Sequence, residues 1–311
     1  MPRTLALLTA LSLAMSPMAG AEFAYEDDGT TLWITEAGEP VLGYNHGAIE
    51  PEDADAEFQE RYRRSSYIHP LFGLDGDVLT EDFPDDHPHH RGVFWSWPGV
   101  QFGDRPLDVW HLQGVRQLFE EWVEKEVRED SLLVHVRNGW QLEDAEAPFV
   151  REDIRFTVHP ADDIGRAIDF DLTFTNVSEE EVTLAGGYGG FNVRPDSTRP
   201  DQQLAGAPGL LEDSNNADTP WADYSSRIEA DGPYSGTAIF QHPANPDYPH
   251  DGWTLRHYGF LGQAWPQDDP YVLEPGDAVT LRYQLYIHRG DAEEGEVAER
   301  FEAYLSDRLS D

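Results

Sequence analysis

The sequence predicts an all-β protein, a large antiparallel β-sandwich closed by a C-terminal helix. Two stretches alternate strictly. Ile168, Phe170, Leu172 and Phe174 point one way while Asp169, Asp171, Thr173 and Thr175 point the other; Val279, Leu281, Tyr283, Leu285 and Ile287 alternate in the same way with Thr280, Arg282, Gln284, Tyr286 and His288. Successive side chains of a strand face opposite sides, so this is the pattern of half-buried antiparallel strands. Turn chemistry separates such runs, at Asp75-Gly76, at Asn176 to Ser178 and at Glu274-Pro275-Gly276. One segment has a helical period: from about Ala292 to Leu309, Val297, Phe301 and Leu305 share a stripe.

Taken in order, the chain opens on MPRTLALLTALSLAMSPMAGA, with Arg3, an apolar run from Leu5 to Met15, and the small residues Ala19, Gly20 and Ala21. This is the layout of a secretory signal peptide, residues 1–21, cleaved before Glu22 and too short to span a bilayer. The mature protein is expected in the periplasm or outside the cell. Weaker strand signals cover Thr31 to Thr35, Val115 to Val127, Leu132 to Trp140, Val150 to Val158, Val182 to Ala185, Thr237 to Gln241 and Trp253 to Tyr258. Arg194 to Arg227 reads as a loop long enough to be a lid. With no internal repeat and no low-complexity linker, residues 22–311 read as one domain.

Sixty acidic against 21 basic residues give a formal net charge of -39, and Lys125 is the only lysine. Such a surface repels nucleic acid and anionic lipid, which argues against both as partners, and it suits a salty medium that screens the self-repulsion. At 39% hydrophobic and 12% aromatic the chain is too apolar to be disordered. It has no cysteine, hence no disulfide, thiolate ligand or cysteine nucleophile, and any metal must use His, Asp or Glu. GxxxxGK, GxSxG, HExxH and a GxGxxG after a strand are absent, which speaks against nucleotide cofactors and serine hydrolysis.

The densest chemistry lies between Tyr67 and Trp97. It holds four of the twelve histidines (His69, His87, His89, His90), Arg91, Trp95 and Trp97. Exposed aromatics have no folded-state reason to gather beside imidazoles and a guanidinium, so the segment reads as functional; the competing reading is a hydrogen-bonded structural network. Taken as extended, it puts His87 and His89 on one face and His90 on the other. Pro84, Pro88 and Pro98 place it at a sheet edge or in a loop across the mouth of a sheet.

These residues also carry a resemblance. YIHPLFGLDGDVLTEDFPDDHPHHRG, the GYGGFNVR of Gly187 to Arg194, GTAIFQHPANPDYPHDGWTLRHYGF and the closing LRYQLYIHRG resemble, in order and spacing, a bacterial family labelled "methane oxygenase PmoA". The resemblance covers nearly the whole chain after the leader. It implies a supersandwich like that of galactose mutarotase and a place in carbohydrate metabolism, because members often accompany sugar oxidoreductases. Where it leads to the expectation of an acid before Gly189 and Gly190, this chain has Tyr188. The oxygenase label itself fits poorly. The membrane subunit of particulate methane monooxygenase is built of spanning helices, and no stretch after the leader is long and apolar enough for one. A soluble histidine-brace copper site needs histidine as the first mature residue, where cleavage here exposes Glu22.

The leading expectation is an exported carbohydrate-active enzyme, a lyase, dehydratase or epimerase, that moves a proton next to a sugar carbonyl or carboxyl of a small or oligosaccharide substrate. Such chemistry needs a base that titrates near neutrality, a proton donor, and a cation over the developing enolate. His87 or His89 suits the first, with Asp85 or Asp86 to orient it and His90 in the same cluster; His69 or Tyr258 suits the second; Arg91, Arg194 or Arg256 the third. Trp95, Trp97, Trp110 and Trp253 are candidate platforms for a sugar ring. His87 and His89 could instead load a divalent metal ion. The segments around His69, His87 to Arg91, Arg194, Arg256 to Tyr258 and His288 are expected to converge on one pocket. The alternatives are a non-catalytic sugar-binding module, a glycosidase whose carboxylate pair sixty acids leave unidentifiable, and a metal-dependent oxygenase.

Overall fold

A computed structural model of the chain describes residues 22–51 and 54–309, so the expected leader, 1–21, lies outside the described residues. Two nine-stranded antiparallel sheets face one another. The first runs, edge to edge, through Phe23–Asp27, Thr31–Glu36, Glu39–Asn45, Tyr67–Leu71, Val93–Ser96, Gly190–Val193, Phe260–Ala264, Trp253–Arg256 and Ser214–Ala217. The second runs through Gly209–Leu210, Gln203–Gly206, Trp221–Arg227, Tyr234–Gln241, Ala278–Arg289, Gly165–Asn176, Pro148–Val158, Leu132–Leu142 and Val115–Val127. A smaller sheet joins Tyr271–Leu273, Val182–Ala185, Gly99–Phe102 and Arg105–Leu107.

The two alternating stretches are neighbours in the second sheet, in a register that sets Phe170 opposite Tyr283 and Leu172 opposite Leu281. Their apolar faces are buried and share one continuous core with Leu32, Leu42, Ile68, Val93 and Trp95 of the first sheet. Each such side chain taken out of water stabilises the fold by about 1.5–3 kcal/mol, so the seam between the sheets is what holds the sandwich. The C-terminal helix, Val297–Arg308, starts later than its periodicity suggested, because Glu296 takes a left-handed φ of 53°. It buries Val297, Phe301 and Tyr304 against Phe240 and Tyr286 on the outer side of the second sheet. No helix among the described residues is long and apolar enough to cross a membrane.

Two expectations are corrected. The stretch from Arg194 to Arg227 is not a lid: it contains Gln203–Gly206, Gly209–Leu210, Ser214–Ala217 and Trp221–Arg227, which extend both sheets. Its best strand, WADYSSR, is buried at all but its last position, so it shows no alternation to read. The second concerns the histidine-rich segment, which is not extended. Tyr67–Leu71 and Val93–Ser96 flank an excursion in which the His87 amide donates to the Pro84 carbonyl (3.1 Å) and the His90 amide to the His87 carbonyl (2.8 Å). Pro84 and Pro88 set the backbone for two successive turns and remove ladder donors. His87 therefore stacks on His90, with ring centroids 4.7 Å apart and planes 15° from parallel, and meets His89 edge-on at 5.7 Å.

Candidate active site

The excursion rises between two central strands of the first sheet and returns to it through Gly92. A Cβ there would stand 2.2 Å from the Ile68 carbonyl oxygen, so only glycine lets the loop re-enter so closely. Arg91 ties the loop down. Its buried guanidinium donates to the carbonyls of Pro88 (2.8 Å), His90 (2.7 Å) and Tyr62, and lies 3.6 Å over the Phe83 ring. Arg194, equally buried, holds the loop from the other side, 2.8 Å from Asp86 and 3.2 Å from Glu81. Both arginines brace the loop.

The braced loop forms one wall of a cavity of about 240 Å³. His87, His89 and His90 line that wall; Trp110 and His111 come from the turn after Arg105–Leu107, and Tyr188 from the turn before Gly190–Val193. Asn215, Thr254, Arg256, Tyr258 and Phe260 complete it from the adjoining hairpin strands at the sheet edge. Aromatic faces surround the imidazoles. Tyr258 stacks on His87 at 5.0 Å and 10°, Trp110 meets His90 edge-on at 5.4 Å and Tyr188 at 5.0 Å, and His111 lies 4.4 Å from His89.

Two of the imidazoles lie against carboxylates. His87 Nδ1 is 2.8 Å from Asp86, a close charge contact without hydrogen-bond alignment, whereas His111 Nδ1 is hydrogen-bonded at 2.8 Å to Asp108, which also accepts the His111 amide at 2.7 Å. At His111 the carboxylate on Nδ1 fixes the ring and leaves Nε2 as the free nitrogen. Burial opposes ionisation of Asp86, but the His87 contact and the Arg194 charge hold its carboxyl below the usual range. The other two imidazoles are kept neutral. Burial, then the charges of His111, His87, Arg64 and Arg91, push His89 down to about 3; burial foremost drives His90 further down, and its Nδ1 has no hydrogen-bond partner. Burial raises the Tyr258 and Tyr188 hydroxyls, which stay protonated donors.

Of the residues singled out from the sequence, His87, His89, His90, Trp110, Arg256 and Tyr258 share this cavity. The others lie elsewhere. His69 sits in its strand with Nδ1 3.0 Å from the Thr80 hydroxyl. Trp95, Trp97 and Trp253 are fully buried core residues that no sugar ring can reach. His288 is sealed against Asp223 at 2.8 Å in the second sheet, so it does not join the pocket. Sequence reading passed over His111, Asp108, Asn215, Thr254 and Phe260. The one legible signal was in DVWHLQG, where Asp108 and His111 stand three apart beside Trp110. Tyr188, noted only as standing where an acid was expected, lines the cavity.

As ligands for a metal the histidines do not fit. Among the described residues no group of three or more His, Asp or Glu side chains converges on a point that could hold an ion, and His87 and His89 meet edge-on.

Comparison with known proteins returns a family. A profile described as "Family of unknown function (DUF6807)" matches residues 31–302. No curated protein sequence matches the chain. Among solved structures it is similar to the GH36 α-galactosidase AgaA from Geobacillus stearothermophilus (11% identity over 87% of this chain, TM-score 0.40). A polysaccharide lyase matches at 13% identity over 90% of this chain, with a TM-score of 0.33. A GalM/aldose epimerase homologue from C. elegans matches at 10% identity over 87%, also with a TM-score of 0.33. The chain spans 41% of the galactosidase and 34% of the lyase, and all of the epimerase homologue is covered.

Proposed function

The chain belongs to this family of unknown function, DUF6807, and from the geometry of its cavity we propose that it is an exported enzyme that binds a carbohydrate and transfers a proton next to a carbonyl or carboxyl group of the sugar. The observation that carries this reading is a pair of imidazoles beside carboxylates, His111 hydrogen-bonded to Asp108 and His87 in close contact with Asp86, set in one aromatic-walled cavity. Aromatic faces suit the apolar side of a sugar ring, and the cavity is smaller than the roughly 300–1,000 Å³ of drug-sized sites, which fits one or two sugar units.

In this reading one of the two imidazoles takes the proton, on Nε2 in the case of His111, and the electron pair it leaves moves onto the carbonyl oxygen as an enolate. Arg256, the one guanidinium among the described residues that lines the cavity, faces the developing charge. The second imidazole or the Tyr258 hydroxyl then returns a proton, to the same carbon in an epimerisation or to a leaving oxygen in an elimination. Neutral His89 and His90 donate or accept hydrogen bonds without adding charge. Of the proton donors and cations considered from the sequence, His69, Arg91 and Arg194 drop out because each is committed elsewhere. The family that HPHHRG resembles carries an oxygenase label; that alternative is the weaker, because the histidines do not converge as ligands.

Incubation with candidate sugars in deuterium oxide tests the proposal. Deuterium is expected at the carbon next to the carbonyl or carboxyl, at a rate that falls in His87→Ala and His111→Ala. Tight sugar binding with no exchange would make the protein a binding module. Export is checked by intact mass, the expected first residue being Glu22.

A further inference from the structure

Almost every cation in this acid-rich protein is paired. Among the described residues, each arginine other than Arg61, Arg64 and Arg256 has a carboxylate oxygen within 4.0 Å. Arg61 is exposed on the short helix Ala56–Tyr62 and lies over the Tyr62 ring. The other two flank one place. Arg256 lines the cavity, its guanidinium held by the Ser214 carbonyl (2.5 Å), the Leu255 carbonyl (2.8 Å) and the Asn215 amide oxygen, all neutral acceptors. Arg64 is buried one aromatic layer behind, 5.3 Å over the Phe94 ring, which in turn packs 5.3 Å from Trp110 and 5.8 Å from His90. It makes a single side-chain hydrogen bond, to Gln117 at 2.7 Å, and its Nε and Nη1 have no partner.

The cavity lining tells the same story. Among the described residues it holds four imidazoles and a guanidinium but not one carboxylate, although sixty of 311 residues are acidic; four other hollows on the molecule all include acids. Glu152 and Asp108 act on buried Arg64, and Asp213 on half-buried Arg256, only from beyond ion-pair distance, and a sheltered guanidinium without a contacting counter-charge is costly. We propose that the missing counter-charge is on the ligand: the cavity takes a sugar bearing a carboxylate, a uronic acid unit, whose anion pairs with Arg256 over the field of Arg64. A planar carboxylate matches the fork of a guanidinium, and the Arg256 side chain is already held in place by three acceptors. This inference rests on the reading of the cavity as a sugar site and narrows it.

The test is calorimetric titration of the full chain with short galacturonate and glucuronate oligosaccharides, with the same oligosaccharides reduced at the carboxyl to neutral sugars, and with sulfated neutral ones. Uronates are expected to bind about tenfold or more tighter than their reduced counterparts, the preference that one charge-assisted contact confers. Arg256→Gln should abolish the preference, bringing uronates down to the affinity of the reduced sugars in the same variant, and Arg256→Lys should restore part of it. Equal binding of uronates and reduced sugars overturns the inference and leaves the sugar reading standing, as does binding of the sulfated sugars with the uronates ignored. A preference that survives in Arg256→Gln overturns the assignment of that residue. If none of the three series binds, the sugar reading falls with it. The comparison between uronate and reduced sugar needs no variant, so it holds even if a substitution disturbs folding.

Discussion

The molecule contains two buried polar knots that share a side chain and differ in kind. In the seam between the sheets, Glu152 is fully buried and takes three donors, Gln117 Nε2 at 2.9 Å, Asn138 Nδ2 at 2.8 Å and Trp140 Nε1 at 2.6 Å. The same Gln117 reaches with its oxygen to Arg64 behind the histidine cavity, where guanidinium and imidazole nitrogens are left without partners. The charged group of the first knot, the Glu152 carboxylate, is satisfied at both oxygens by the chain itself, and the Arg64 guanidinium of the second is not. Satisfied buried groups specify a core, whereas a cluster of unsatisfied ones beside a cavity marks where a ligand is needed to complete the set.

The contrast predicts that damage on the two sides reads out differently. On the cavity side, His87→Ala or His111→Ala should lower turnover of the sugar about 10²–10⁴-fold, the usual contribution of a positioned acid or base, with the denaturation midpoint nearly unchanged. If both variants keep full turnover, the cavity is not the site of the chemistry. On the core side, Glu152→Ala strands three buried donors and should cost on the order of 3 kcal/mol of stability, seen as a lower urea midpoint, while turnover per folded molecule is kept.

Acid separates the two knots by sign. His90 is held far below its ordinary value by burial, so between pH 7 and 5 the unfolded chain takes up a proton that the folded chain refuses. Stability is therefore lost as pH falls, by about 2 kcal/mol from His90 alone at pH 5. Glu152 is raised by burial in spite of its donors, so its contribution runs the other way and is lost as pH rises from the unfolded value of 4.5 through the folded one. Urea midpoints at pH 7 and pH 5 should converge in His90→Leu and shift oppositely in Glu152→Gln. The smallest effect is expected from Asp108→Asn, which keeps the shape but releases the His111 tautomer: about tenfold in turnover, with little change in stability. An unchanged pH-rate profile in that variant would show that Asp108 does not position the base.

How far the sequence revealed this divides along the same line. The second sheet was legible at Ile168 to Phe174 and Val279 to Ile287, because one face meets the core and the other meets water. The first sheet was not: VFWS and GFNV are buried at every position, so their hydropathy has no period, and Trp95 read as a platform when it is core. In the cavity the cluster from His87 to His90 announced itself by density. Its geometry did not, since two prolines turned an assumed strand into paired turns, and His111 with Asp108 stood about twenty residues away with no cluster to mark them. Nor could a sequence show which arginines lack a partner, a property of pairing across the fold.

The acidic coat, finally, bears on how fast anything reaches the cavity. A carboxylate-bearing ligand diffusing toward a body of net charge -39 meets repulsion well before it meets Arg256. Dissolved ions cut the reach of that repulsion to about 10 Å at 0.1 M and about 3 Å at 1 M, while the sheltered contact inside is screened far less. Capture should then quicken as salt is added, the reverse of proteins that steer charged partners by attraction. For such a ligand brine opens the approach to the cavity, and fresh water closes it.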